Sequence, residues 1–125
     1  MFVSRSMSRK VVTIHKDATI LEAREKLDKH HIRHLPVVEK DDILIGIVTD
    51  RDVRSAMPSE HLQSCHLDDD ADMLEGIKVK DFMTIAPAVV TLTDTILDAL
   101  LLLQEKRVGA LPVVEADKLV GVISE

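Results

Sequence analysis

Two stretches of the chain carry the apolar and polar spacing of an amphipathic helix. In the first, apolar residues recur at helical spacing between Ile20 and Leu27. Thr19 precedes this stretch and Glu22 follows three residues later, which predicts a capping box at the start of the helix. We expect this helix to end near His31.

The second stretch is more apolar than a helix covered on one side requires. Thr95, with Asp98 three residues later, starts it, and residues 99–103 follow without a polar side chain. Because five successive positions cover more than a full turn, we expect both faces of this helix to be buried. Its own domain covers one face, and a second element or a second chain covers the other. We therefore predict a homodimer that forms through this helix.

Each helix is followed by two short runs with the composition of β-strands. The first copy has LPVV at 35–38, a polar turn at 40–42, and ILIGIVT at 43–49, which suits a strand covered on both sides. The second copy repeats this plan: HLPVVEKDDILIGIVT (34–49) reappears as ALPVVEADKLVGVIS (110–124), one residue shorter in the turn. Self-similarity of this kind indicates two copies of one structural unit.

The net charge of −6 is concentrated between the two copies. We divide the chain into repeat 1 (1–56), an acidic linker (57–76) and repeat 2 (77–125). The linker holds six of the 22 acids and no Lys or Arg, which leaves 16 acids against 16 basic residues elsewhere. A chain with this balance and no Trp or Tyr lacks the basic track and stacking rings of nucleic-acid-binding proteins. Calcium binding by the linker is not expected, because the D-x-D-x-D-G spacing is absent.

Neither a signal-peptide pattern nor a run of about 18 apolar residues is present, so we expect a soluble cytoplasmic protein without a membrane partner. The single cysteine, Cys65, excludes an internal disulfide. His61 and Cys65 could share a zinc ion, but no fourth ligand stands out, so we predict no metal site. No enzyme is expected, because the chain lacks a P-loop, a G-x-S-x-G elbow and a base placed beside Cys65.

Several segments together resemble the CBS (cystathionine beta-synthase) domain: Met7, VVTI at 11–14, HIRHLPVV at 31–38 and GIVTDRD at 46–52. Two copies resemble the tandem CBS-domain pair, and HIRHLPVV, GIVTDRD and MPS together are especially similar to the CBS pairs of bacterial acetoin-utilization regulatory proteins. The resemblance implies an α/β (α+β) fold of two β-α-β-β-α repeats packed about a pseudo-twofold axis. It also implies that such pairs often dimerise and bind AMP, ADP, ATP or S-adenosylmethionine between the repeats, without catalysis.

The corner at 49–52 carries the chemistry that an adenosyl ligand needs. Thr49 ends a strand and N-caps the helix that starts at Asp50, so free backbone N–H groups gather there. A carboxylate accepts two hydrogen bonds well, which suits Asp52 to the vicinal ribose hydroxyls, whereas Arg51 can reach toward phosphate. The same residues also make an ordinary capping box, which contributes about 1 kcal/mol and needs no ligand.

With almost no aromatic residues, the adenine is expected to lie in an aliphatic slot and to be recognised by backbone groups. The resemblance implies that the helix-to-strand turn of one repeat faces the Thr-x-x-Asp corner of the other. A companion site is implied at Ser124, but the chain ends at Glu125, two residues short of the matching acid, so we expect an incomplete chain and a doubtful second site. The predicted ligand-binding residues are Thr49, Arg51, Asp52, Thr91, Val108, Gly109, Ala110 and Pro112 in the first site, and Thr13, Ile32, Arg33, His34, Pro36 and Ser124 in the second.

The sequence is compatible with two functions. The first is a regulatory module without a resident cofactor that binds an adenosyl ligand in the cleft between the repeats and signals through dimer geometry. The second is a ligand-independent scaffold that dimerises through the helix bearing residues 99–103.

Overall fold

The computed structural model describes residues 1–57 and 76–124. The linker therefore lies almost entirely outside the described residues, as do His61, Cys65 and the acid cluster considered for calcium. Within the described ranges, no helix is long and apolar enough to cross a membrane.

Each copy of the sequence folds as a strand, a helix and an antiparallel pair of strands. The pattern predicts the helix and the strand pair, and the resemblance implies the strand before them. A short helix precedes each copy, and repeat 1 continues into a helix after its last strand. In chain order the elements are α1 (Val3–Ser6), β1 (Ile14–His15), α2 (Ile20–His30), β2 (His34–Val38), a 3₁₀ turn (Lys40–Asp42), β3 (Leu44–Thr49), α3 (Asp50–Ala56), α4 (Val79–Phe82), β4 (Thr84–Ile85), β5 (Val90–Thr91), α5 (Ile96–Lys106), β6 (Ala110–Glu115) and β7 (Lys118–Ser124).

Polar side chains start the two long helices. The capping box at Thr95 is complete: its hydroxyl accepts from the Asp98 N–H at 3.1 Å, and its own N–H donates to the Asp98 carboxylate at 3.2 Å. The box predicted at Thr19 is only half formed. Thr19 accepts from the Glu22 N–H at 3.2 Å, but the longer Glu22 side chain is exposed and returns no bond within the described ranges. Helix α2 ends as predicted, with His31 in the left-handed conformation.

Each sheet is extended by a segment of the other repeat. The first sheet has the order β1-β2-β3-β4, in which β4 comes from repeat 2 and pairs with β3 through Gly46 and Ile85. The second sheet has the order β5-β6-β7, and Ser8 of repeat 1 forms an antiparallel bridge with Val122 of β7. The segment before the long helix of each repeat therefore pairs with the edge of the other repeat's sheet.

The exchange of segments reaches the two hydrophobic cores. Val79 of α4 is fully buried in the core of repeat 1, beside Ile20 and Leu35. Val3 of α1 and Met7 are buried in the core of repeat 2. Burial of apolar area drives folding in proportion to the area removed from water, so each core depends on side chains that the other repeat supplies.

Helix α5 is covered on one face within the single chain. Ala99 and Leu103 are buried, whereas Leu97, Leu100 and Leu101 are 64%, 52% and 55% exposed. No second element of the described chain covers these three leucines, so the expectation that both faces are buried requires a partner chain.

Candidate ligand-binding clefts

Two cavities open between the repeats and are related by the internal repeat. The Asp52 cavity, about 680 Å³, is lined by the corner at 49–52 of repeat 1 and by the turn at 106–110 of repeat 2. The Ser124 cavity, about 540 Å³, reverses these roles, with Ser124 opposite residues 31–34. Both volumes lie in the range of small-molecule sites, roughly 300–1,000 Å³.

The corner between β3 and α3 holds Asp52 by a capping box. The Thr49 hydroxyl accepts from the Asp52 N–H at 3.1 Å, and the Thr49 N–H donates to Asp52 Oδ2 at 2.9 Å. The capping box that these two residues form without a ligand is therefore present in the structure. It engages Oδ2, whereas Asp52 Oδ1 has no hydrogen-bond partner among residues 1–57 and 76–124. Because an ionised carboxylate can accept several hydrogen bonds, capping and ligand binding are compatible.

The opposite wall of the Asp52 cavity is the turn between α5 and β6. Val108, Gly109, Ala110 and Pro112 line it, together with Thr49, Arg51 and Asp52 from the other repeat. Arg107 ends α5 in the left-handed conformation, and this reverses the chain so that the small residues after it face the cavity. These predicted residues of the first site are therefore brought together.

Most predicted residues of the second site also come together. The Ser124 cavity is lined by Ile32, Arg33, His34, Pro36 and Ser124.

Two predicted residues, Thr13 and Thr91, line neither cavity. Thr91 ends β5, where its N–H donates to the Asp94 carboxylate at 2.8 Å. Thr13 lies just before β1, and its carbonyl accepts from Lys26 Nζ at 2.7 Å. Both backbone groups therefore bond within their own repeat, next to its first strand.

The segment that enters the Asp52 cavity in place of Thr91 was missed in the sequence. Residues 84 and 86–88 line this cavity, because the pairing of β4 with β3 carries the chain past the corner. Their counterparts, residues 8 and 10–12, line the Ser124 cavity. The offset of 76 that relates Leu35 to Leu111 also relates these segments, so the internal repeat held the signal that they are equivalent.

The Asp52 cavity carries charge of both signs. Asp50 and Asp52 lie at one corner. The basic residues around them are Arg33, Arg51, Lys106 and Arg107. Such a lining can accept hydrogen bonds from hydroxyl groups at the carboxylates and can donate charge-assisted bonds to an anionic group at the guanidinium ions. Within the described ranges, no group of His, Cys, Asp and Glu is placed to hold a metal ion.

His34 is shared by the two cavities, since it lines both. Burial lowers the pKa of its imidazole below the ordinary 6.5, and the nearby Arg33 charge acts in the same direction. The carboxylates of Asp50 and Asp52 act against this and raise the pKa, but burial is the larger effect. The neutral imidazole is therefore favoured in the folded protein.

The sequence matches a known family over most of its length. The CBS domain family matches residues 3–59 and 79–125. The chain belongs to the CBS domain family. This CBS pair is 33% identical over 125 residues to a CBS domain-containing protein of Dictyostelium discoideum, and the match covers 99% of this chain and 86% of that protein.

Solved structures share the fold of this CBS pair. An acetoin utilization protein, AcuB, of Vibrio cholerae has a TM-score of 0.81 at 27% identity, covering 99% of this chain and 84% of that one. CBSX2 of Arabidopsis thaliana, solved in complex with AMP, has a TM-score of 0.82 at 29% identity, covering 99% of this chain and 90% of that one. The predicted tandem CBS fold and its similarity to an acetoin-utilization protein are confirmed.

Relatives with enzyme names match this CBS pair over a small part of their own length. A homoserine O-acetyltransferase of Methanococcus vannielii is 30% identical over 123 residues, which cover 98% of this chain and 23% of that protein. The similarity therefore reaches only the corresponding part of such an enzyme.

Proposed function

We propose that this CBS pair is a regulatory, non-enzymatic module that binds an adenosyl ligand in the Asp52 cavity. The observation that carries the proposal is that Asp52 lines a cavity of about 680 Å³ opposite the small residues 108–110. The AMP bound by the similar CBSX2 supports this class of ligand. The cytoplasmic location expected from the sequence belongs to the same proposal.

The lining suggests how the ligand lies. Asp52 Oδ1 accepts from the ribose hydroxyls while Oδ2 keeps its bond to the Thr49 N–H, so binding does not require the helix cap to break. The phosphate lies toward Arg51 and the basic end of the opposite turn at 106–107. The adenine then packs against apolar residues from both repeats, including Ile47 and Val108.

Such a ligand contacts three separate segments. These are the corner at 49–52, the turn at 106–110, and residues 84 and 86–88 between them. Because the segments belong to both repeats, a bound ligand favours the relative geometry in which all of them reach it. The resulting shift can be no larger than the difference between the ligand's affinities for the two geometries.

Calorimetric titration with AMP, ADP, ATP and S-adenosylmethionine tests the proposal. The informative variant is Asp52→Asn, which keeps an oxygen for the Thr49 N–H but loses the charge and one acceptor. A hydrogen bond to a charged group contributes about 1.5–3 kcal/mol, so we expect the affinity to fall at least about tenfold.

Asp98→Asn is the matched control. Asp98 makes the same capping box with Thr95 but lines neither cavity. We expect it to leave ligand affinity unchanged. If none of the four ligands binds, or if both variants bind them as the wild type does, the proposed site is wrong.

A second function, that of a dimerising scaffold, is favoured by the exposed face of α5. Leu97, Leu100 and Leu101 lie at i, i+3 and i+4 and form one apolar stripe, each leucine more than half exposed. A stripe of this kind marks an interaction surface, and we propose a second copy of the chain as its partner. The two functions are compatible, because ligand binding between the repeats can alter the orientation of the dimerising helices.

A further inference from the structure

The two cavities share a wall that is unequal on its two sides. Arg33, His34, Gly109 and Ala110 line both cavities. At the offset of 76, Arg33 corresponds to Gly109 and His34 to Ala110. One repeat therefore supplies two long side chains to the wall, and the other supplies almost none.

The His34 ring extends into the space that the small residues leave. A Cβ added at Gly109 would lie 3.1 Å from His34 Cε1 and 3.2 Å from Nε2, so the imidazole packs directly on the Gly109 backbone. On the other side, His34 pairs with Thr49 across β2 and β3, and the Arg33 carbonyl accepts from the Asp50 N–H at 3.0 Å. The His34 backbone is thus fixed beside the Asp52 corner, and its ring lies on the turn that both cavities use.

We propose that the His34 ring couples the two cavities, so that an anionic ligand in one weakens the binding of a second in the other. This inference rests on the proposed ligand binding and adds its regulation. A neutral imidazole has one N–H donor and one acceptor nitrogen, so it can donate to a ligand on one side only. Once the Asp52 cavity takes that donor, the Ser124 cavity faces the acceptor nitrogen, which repels an anionic oxygen.

Coupling between sites typically changes affinity by a factor of about 5–150. We expect the second AMP to bind at least about fivefold more weakly than it would to an otherwise empty protein.

A site-resolved titration separates coupling from two cavities that merely differ in affinity. We would follow AMP binding at pH 7.5 by ¹⁵N–¹H NMR, with the Asp52 and Thr84 amides as reporters of one cavity and the Ser8 and Ser124 amides as reporters of the other. Four proteins are compared: wild type, Asp52→Asn, His34→Ala and the double variant. Alanine stands at the equivalent position 110, in a strand of the same kind, so His34→Ala is compatible with the fold.

Coupling predicts that Asp52→Asn, by lowering AMP occupancy of its own cavity, tightens AMP binding at the Ser8 and Ser124 amides about fivefold or more. In the His34→Ala background the same change should leave that affinity within about twofold. If Asp52→Asn has no effect, a weakening effect, or the same effect in both backgrounds, the coupling is refuted, while AMP shifts at Asp52 and Thr84 leave the proposed function standing. If AMP shifts no amide in the wild type, both proposals are refuted.

Discussion

Gly46→Ala tests the close contact between β3 of repeat 1 and β4 of repeat 2. Gly46 lies in the middle of β3, where β4 pairs with it. An added Cβ would lie 2.8 Å from Met83 Sδ and 2.9 Å from the Thr84 carbonyl oxygen. The methionine side chain can rotate away, but the Thr84 carbonyl cannot, because the pairing of Thr84 with Ile47 holds that backbone in place.

The expected cost follows from two opposing effects. Inserting a methyl group into a well-packed site costs about 1–3 kcal/mol. Alanine otherwise stabilises a strand by roughly 0.5–1 kcal/mol relative to glycine, because the unfolded chain loses less freedom. We therefore expect a net loss of about 1 kcal/mol, and at most about 2.5 kcal/mol, in the free energy of unfolding. For a domain of this size, that lowers Tm by roughly 4–8 °C.

Urea denaturation of Gly46→Ala and Gly121→Ala provides the assay and its matched control. At Gly121 the added Cβ would lie 2.7 Å from Met7 Sδ and 2.8 Å from the Ser8 carbonyl oxygen, so a similar stability loss is expected. AMP affinity should separate the two variants. Displacing Thr84 disturbs the lining of the Asp52 cavity and weakens binding there, whereas displacing Ser8 affects the Ser124 cavity. If Gly46→Ala is as stable as the wild type, the close contact between β3 and β4 at Gly46 is refuted.

Three further predictions concern pH, assembly and ligand-linked stability. Because burial lowers the His34 pKa, its contribution to stability is complete above about pH 6.5 and is lost as pH falls below that value, so His34→Ala should flatten this part of a pH series of urea melts. Leu100→Glu should dissociate the proposed dimer in sedimentation experiments with folding intact. Leu103→Ala, at a position 3% exposed, should cost about 2–5 kcal/mol by urea denaturation. AMP at about 100 times its Kd should add about 2.7 kcal/mol to stability in a ligand-binding module, and a melt unchanged by AMP would instead favour the scaffold.

The elements within each repeat were predictable because their signals are local. Thr95 with Asp98 marks a helix start, and the apolar spacing from Ile20 to Leu27 marks a helical face. The structure has both, with α2 and α5 each eleven residues long. The polar turn at 40–42 was equally clear. Each of these signals acts between residues a few positions apart, which a single sequence displays directly.

The composition of the clefts was predictable only in part. The corner at 49–52 and the turn at 106–110 could be assigned from the motif and its resemblance, and the structure brings them to one cavity. Thr13 and Thr91 were expected in the cavity walls but line neither cavity, because nothing in the sequence shows which part of the connecting chain passes the corner. Residues 84 and 86–88 take that place through strand pairing with β3, a contact between residues nearly forty positions apart.

The amino-acid sequence alone shows that this chain contains one structural unit twice, which elements the unit has, and which corner offers a carboxylate beside a helix start. These properties follow from spacing, capping and self-similarity along the chain. The folded chain reveals that α1 packs into the core of repeat 2 and α4 into the core of repeat 1. It also reveals that Gly46 is needed for close approach and that His34 lies between two cavities. These features could not be predicted, because packing depends on distances in space. Side chains far apart in sequence come into contact only once both sheets have formed.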